Sequence, residues 1–227
     1  MSLTKIAAGL AAITLSTASL AGTTLSQNFD NVAGLFTTGW VQTNNSSPVG
    51  ASGWFQGLPD EPGSFPAQSG ATNSYAAVNY LSGAENAGGA VSNWLISPTI
   101  SLDRGSVINF FVQVAGFGFL DKVEVRVSTN GASTNVGTTA ASVGDFSTLL
   151  STYSSSVTQG WVAQSLSLAA LNPGQYTGRL AFRYVIGDTN VDGNYLGIDT
   201  LSVVPEPASL ALVAAALCGL ALSRRRA

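Results

Sequence analysis

The 227-residue chain carries nine lysines and arginines against twelve aspartates and glutamates, for a formal net charge of −3, and only 9% of its residues are charged. It has no histidine and a single cysteine, Cys218, which removes a Ser-His-Asp triad, a Cys-His pair and any histidine-ligated zinc from consideration. This balance leaves no basic footprint for phosphate, so nucleic acid is not an expected partner.

From the N-terminus, a short positive stretch over 1–5 precedes an apolar run over 6–20, and Ser19-Leu20-Ala21 places small residues at the −3 and −1 positions of a cleavage site. These features predict a signal peptide over 1–21, removed before Gly22. The following 183 residues, 22–204, suffice for one domain with a sizeable core. Short strand candidates "LSQNF", "SYAAVNY" and "NWLIS" come first, separated by Gly/Ser/Asn/Pro-rich loops over 44–53 and 59–73. "SVINFFVQV" then puts Ile108, Phe110, Val112 and Val114 on one side. "KVEVRVS" alternates strictly, with Val123, Val125 and Val127 opposite Lys122, Glu124 and Arg126, the period of a strand with one buried face. "SVGDFSTLLS", 142–151, is the best short-helix candidate. "WVAQSLSL", "GRLAFRYV" and "NYLGIDTLSV" complete the strands, and Asp192-Gly193 before the last reads as a hairpin turn. Many strands, irregular loops and one core predict an all-β, two-sheet antiparallel sandwich of the jelly-roll type.

Several residues in this domain could carry chemistry. Asp188, Asn190, Asp192 and Gly193 follow a D-x-N-x-D-G pattern with Asp199 at the twelfth position, oxygen ligands at every second residue of a tight loop that suit calcium. The competing reading is an ordinary turn before a strand. Residues 22–204 hold eleven acidic side chains against Arg104, Lys122, Arg126, Arg179 and Arg183, a net of −6, and acidic loops in an exported protein favour such an ion. Trp54 and Phe55, in a Gly/Pro-rich loop, are the aromatic pair best placed to stack on sugar rings, whereas Trp94 and Trp161 read as core. A glycan hydrolase needs two facing carboxylates. Glu124 with Asp199, or Asp121 with Glu85, are conceivable pairs, though no spacing singles them out.

The end of the chain has three parts: Pro205, Glu206 and Pro207, a nearly polar-free segment over 208–223, and the cluster Arg224, Arg225 and Arg226. The prolines end the preceding strand. The arginines closing an apolar helix are a positive-inside signal, with stems that can snorkel to lengthen a short span. A buried core helix is the competing reading. "VPEPASLALVAAALCGLALSRRRA" closely resembles the PEP-CTERM sorting signal of Gram-negative bacteria. That resemblance implies an inner-membrane precursor over 205–227, recognition and cutting by an exosortase near Pro205-Glu206-Pro207, and delivery to the cell surface or extracellular matrix. The order "NFDN", "NWLISPTISL", "VEVRVSTNG", "GWVAQSLSLAAL", "LAFRY", "YLGIDTLSV" resembles the choice-of-anchor J or cleaved-adhesin domain, related to MAM modules. This implies a non-catalytic adhesion or structural module with a structural calcium joining Asp30, the acidic residue of the first strand, to Asp199 in the last. The expected function is therefore an exported, non-enzymatic surface module. The alternatives are a carbohydrate-binding domain for exopolysaccharide and, behind it, a jelly-roll glycan hydrolase.

Overall fold

The alternating runs fold as strands, and their inward faces meet. A computed structural model describes residues 24–205, apart from 117, 158, 172 and 173. The predicted signal peptide, Glu206, Pro207, the apolar segment 208–223 and Arg224, Arg225 and Arg226 lie outside the described residues. In chain order the elements are β1 (Leu25–Gln27), α1 (Val32–Leu35), β2 (Val41–Asn44), β3 (Phe55–Gln56), β4 (Ala76–Asn79), β5 (Val91–Ile96), β6 (Ile100–Asp103), β7 (Val107–Val114), β8 (Asp121–Ser128), β9 (Thr148–Ser155), β10 (Val162–Ser167), β11 (Gln175–Ile186) and β12 (Tyr195–Val204). Among the described residues no helix is long and apolar enough to cross a membrane.

Two six-stranded antiparallel sheets result. The first runs β10-β7-β12-β4-β3 with β1 also on β12, and the second runs β2-β5-β11-β8-β9 with β6 also on β11. The pairing is nested: β4 with β12, β5 with β11, β7 with β10, and β8 with β9. That nesting of first with last, inward to the central hairpin, is the wrap of a jelly roll. It gathers the 80–90, 115–120, 156–161 and 187–194 connections at one end, where they bond to one another: Tyr80 N to Asn194 O, Thr189 N to Gly89 O and Gly118 N to Ser156 O.

Between the sheets lies the main core. Val123, Val125 and Val127 enter it from β8, and Phe110 of β7 meets Phe182 of β11 edge to face at 5.1 Å across the sheets. Each sheet also buries part of its outer face. Phe65, Tyr75, Ala77, Ala115 and Tyr195 form a cluster outside the first sheet, with Trp161 and Phe55 packed against it. Trp94, Ile96, Val136, Phe146 and Ala181 do so outside the second. This explains why β5, "VSNWLI", shows no alternation: all six of its residues are buried, as a strand covered on both faces requires.

Two local expectations fail. Residues 142–151 form no helix: turns lead into β9 at Thr148, because Phe146 is drawn under the second sheet and the following residues pair with β8. Asp192-Gly193 is no hairpin turn either, since β11 and β12 belong to different sheets. The pair lies in a connection crossing the core, and Gly193 takes φ +98° against Tyr80 and Ile186. The unforeseen α1 starts where Asn31 Oδ1 accepts Gly34 N at 3.0 Å, an N-cap.

The outer aromatic cluster rests on Gly197 of β12, where a Cβ would come within 2.8 Å of Tyr75, 2.9 Å of Phe65 and 3.0 Å of Trp161. Gly197→Ala is therefore expected to destabilise the domain by about 1–3 kcal/mol through overpacking. A denaturation midpoint that falls while the slope stays constant would show this; an unmoved midpoint would contradict the packing of these rings on β12.

Candidate functional site

The fold places Asp199 at a break in the alternation of β12. Leu196 and Ile198 point into the main core, so strict alternation would send Leu201 and Val203 outward. Instead Asp199 faces Phe111 and Ser202 faces Asn109, one extra residue on β12, and Leu201 and Val203 are core residues. The extra residue is accommodated at Thr200, whose φ of +50° is left-handed and costs a non-glycine residue free energy. Asp199 offsets that cost. Its Oδ1 accepts Thr200 N at 2.6 Å, and its Oδ2 accepts Gln68 N at 3.0 Å and Ser69 N at 3.2 Å. The carboxyl is fully buried; burial pushes its pKa up, and the backbone bonds from Ser69, Thr200 and Gln68 draw it back.

Asp30 borders the same 68–73 loop. It is exposed and follows Phe29, also left-handed at φ +55°. A Cβ on Gly70 would lie 3.4 Å from Asp30 Oδ1. Gln56 Nε2 donates to both Phe29 O and Asn73 O, tying the exit of β1 to that loop. Asp30 and Asp199 thus offer hard oxygens flanking one loop, which fits calcium in chemistry. Asp199 brings oxygens already engaged by backbone donors. Among the described residues, no three His, Cys, Asp or Glu side chains converge, so the remaining ligands of such an ion would be neutral oxygens.

The two aspartates of the D-x-N-x-D-G pattern engage separate backbone partners. Asp188 is exposed and Oδ1 accepts Asn190 N at 2.9 Å and Gly89 N at 3.2 Å; these bonds hold its carboxyl below the usual range, Asn190 contributing most. Asn190 is exposed and its side chain stands against Gly88. Asp192 Oδ1 accepts Leu120 N at 3.1 Å. Asp199 lies four residues into an extended strand rising about 3.3 Å per residue, and its carboxylate turns to Gln68 and Ser69. A closed ligand loop needs these groups at one point, and the strand carries the last of them away.

The proposed sugar platform is corrected. Trp54 is only 3% exposed, within the main core, and its Nε1 donates to Asn93 O at 3.4 Å. Phe55 is half-buried, its ring 6.0 Å from that of Tyr195. Trp94 is core as expected and lies under the Arg183 guanidinium at 5.0 Å. Trp161 is half-buried and donates to Pro66 O. An open cleft of about 450 Å³ near this region is lined instead by Leu58, Asp60, Glu61, Thr72 and Asn73, among others.

Neither carboxylate pair faces across a site. Glu124 sits on the outer face of the second sheet with Arg126 at 2.7 Å and Arg183 at 3.0 Å; burial raises its pKa, and the two guanidinium groups more than offset this. Asp199 lies on the outer face of the first sheet, with the main core between them. Asp121 is fully buried at the loop end of the core, Oδ1 accepting the Tyr184 hydroxyl and Asn194 N at 2.9 Å, whereas Glu85 is exposed. Burial first, with Asp192 nearby, pushes Asp121 up to about 6 despite these bonds. Its place was available in the sequence: Asp121 is in phase with Val123, Val125 and Val127, so the alternation sends it inward.

No protein-family model and no curated protein matches the chain. Among solved structures it is similar to the cleaved adhesin domains of a Lys-gingipain. The K3 domain, from Porphyromonas gingivalis, is 16% identical with a TM-score of 0.53 over 81% of this chain and 98% of that one. The K1 domain, from the same organism, is 17% identical with a TM-score of 0.52 over 80% and 98%, and the K2 domain is 18% identical with 0.54 over 79% and 96%. At these identities the likeness is one of fold.

Two outcomes follow. Trp54→Ala is expected to cost about 3–5 kcal/mol of stability, as for other core aromatics, read by denaturant titration; near-neutral stability would return Trp54 to the surface. Asp121 titrates at about 6 when folded and near 3.9 when unfolded, so the folded state holds its proton more tightly. Its contribution is fully present below about pH 4 and lost as pH rises through about 6, on the order of 2–3 kcal/mol. In chelator, the melting midpoint of Asp121→Asn relative to the unsubstituted chain should therefore rise between pH 4 and 7; a pH-independent difference would refute this.

Proposed function

We propose that the chain is an exported cell-surface or extracellular-matrix protein whose sandwich serves adhesion or structure without catalysis. In this reading 1–21 direct export, 208–223 with Arg224, Arg225 and Arg226 hold the precursor at the inner membrane of a Gram-negative cell, and an exosortase cuts near Pro205-Glu206-Pro207. The observation that carries it is the abutment of domain and signal: β12 ends at Val204, one residue before Pro205. The likeness of fold to adhesin domains agrees with it. So does the use of the buried Asp199 and the half-buried Glu124, whose carboxylates hold a strand bulge and two arginines rather than an open reaction site.

Structural calcium belongs to the same proposal. Asp30 and Asp199 would hold it beside the 68–73 loop, and the ion would supply charge compensation and a clamp between the exit of β1 and β12. The second reading, exopolysaccharide binding, is favoured by one feature, the cleft near Asp60 and Glu61, whose carboxylates and Thr72 hydroxyl suit sugar hydroxyls. A glycan array with Asp60→Ala as control separates it from the first.

The test of sorting uses the tagged full chain in a Gram-negative host with and without an exosortase. With the enzyme, a product lacking the tail should reach the surface or medium; without it, or with the three arginines changed to serine, that product should be lost. Recovery of an uncut chain from the cytosol in both hosts would overturn the proposal.

A further inference from the structure

The loop end of the sandwich closes over a carboxylate that lacks half its partners. Asp121 Oδ2 is buried and no donor reaches it. The carboxyl head lies against the 192–194 backbone, since Asn194 N donates to Oδ1 at 2.9 Å. Asp192, in turn, accepts Leu120 N, the amide next to Asp121, at 3.1 Å. Each carboxylate is thus pinned by backbone beside the other, and two negative groups stand together where the 115–120 and 187–194 connections meet. Among the described residues both ion pairs involve Glu124, so no cationic side chain offsets Asp121 or Asp192. The Tyr184 hydroxyl, from β11, is already committed to Oδ1. Gly116 O, which accepts Asn194 Nδ2 at 3.2 Å, adds a neutral oxygen at the same place. A buried carboxylate oxygen without a donor calls for a partner of positive charge.

We infer that Asp121 and Asp192 form a divalent-cation site that locks the 115–120 connection to the 187–194 connection. The donors are all oxygens, with no sulfur or imidazole, which suits calcium over transition metals. The site is separate from the Asp30–Asp199 pair and does not depend on it: Asp121 faces the inter-sheet core, Asp199 the opposite face of the first sheet. A proton on Asp121 is the competing means of compensation, and it would leave Asp192 uninvolved.

The experiment uses the full chain in detergent, freed of metal, with terbium as a luminescent stand-in for calcium. Tyr184 bonds Asp121 directly, so terbium at this site should be sensitised by tyrosine excitation, and calcium should reverse the emission. Calcium at a hundredfold excess over its dissociation constant should raise the melting midpoint by roughly 5–10 °C. Asp192→Asn keeps an oxygen for the Leu120 N bond, and is expected to weaken both responses at least tenfold. Asp30→Asn should leave the sensitised emission in place. Tyr184→Phe should lose emission but keep the calcium-dependent midpoint. The inference is overturned if Asp192→Asn responds like the unsubstituted chain. It is equally overturned if neither ion acts while acidification from pH 7 to 5 alone stabilises the chain, for then the proton suffices.

Discussion

The rest of the structure depends on a parity change in β12. A strand alternates its faces strictly, and a slip of one residue reverses every side chain beyond it. β12 spends one residue at Thr200 to reverse its faces on purpose: before it Leu196 and Ile198 are inward, after it Leu201 and Val203 are. That single left-handed residue lets one strand serve a core whose apolar positions change from even to odd. Asp199 holds the reversal in place with one oxygen and the 68–69 loop with the other. The same carboxylate that reads as a metal ligand in sequence serves here as a fastening for backbone, its oxygen lone pairs aimed at N–H donors.

The outer faces explain where the aromatic and charged residues went. Long loops over 57–74 and 130–146 fold back over their sheets and need apolar anchors beneath them, so Phe65, Tyr75, Trp94 and Phe146 are consumed in packing. On the second sheet the charged stripe of β8 is drawn in with them. Arg183 lies over Trp94 while its Nη1 reaches Glu124, which also holds Arg126. Polar groups on that face bond to each other and to loop carbonyls, as Arg126 Nη1 to Phe146 O shows. The cleft by Asp60 and Glu61 stays open beside the first of these loops.

Much of the sandwich was readable because one-sided burial writes itself as period two. β7, β8 and β11 each announce their inward residues, β12 does so only up to the break at Thr200, and the turn-rich segments between them fall where loops are. What failed did so for nonlocal reasons. Trp54 sits among glycines and prolines, yet β5 brings Asn93 O to its indole and the core closes over it. Asp192-Gly193 has the composition of a hairpin turn, but whether two flanking strands pair is decided by the other ten, and here they join different sheets. Asp121 was readable in principle, since its phase with the β8 valines points it inward. Its closeness to Asp192 was not, because seventy-one residues separate them and only the nested wrap brings their loops together.

That wrap also dictates an order of events. β12 lies between β7 and β4 in the first sheet and carries β1 on its flank, yet it is the final strand of the domain. Until it arrives, β4 and β7 have no common neighbour, β1 has no edge to join, and the first sheet stays split. The contacts it makes span most of the domain's length, the kind that close slowly because chain entropy is lost before contact energy is gained. The first sheet therefore completes only when β12 docks, whereas the second, which holds no part of β12, can make its pairings before that strand arrives.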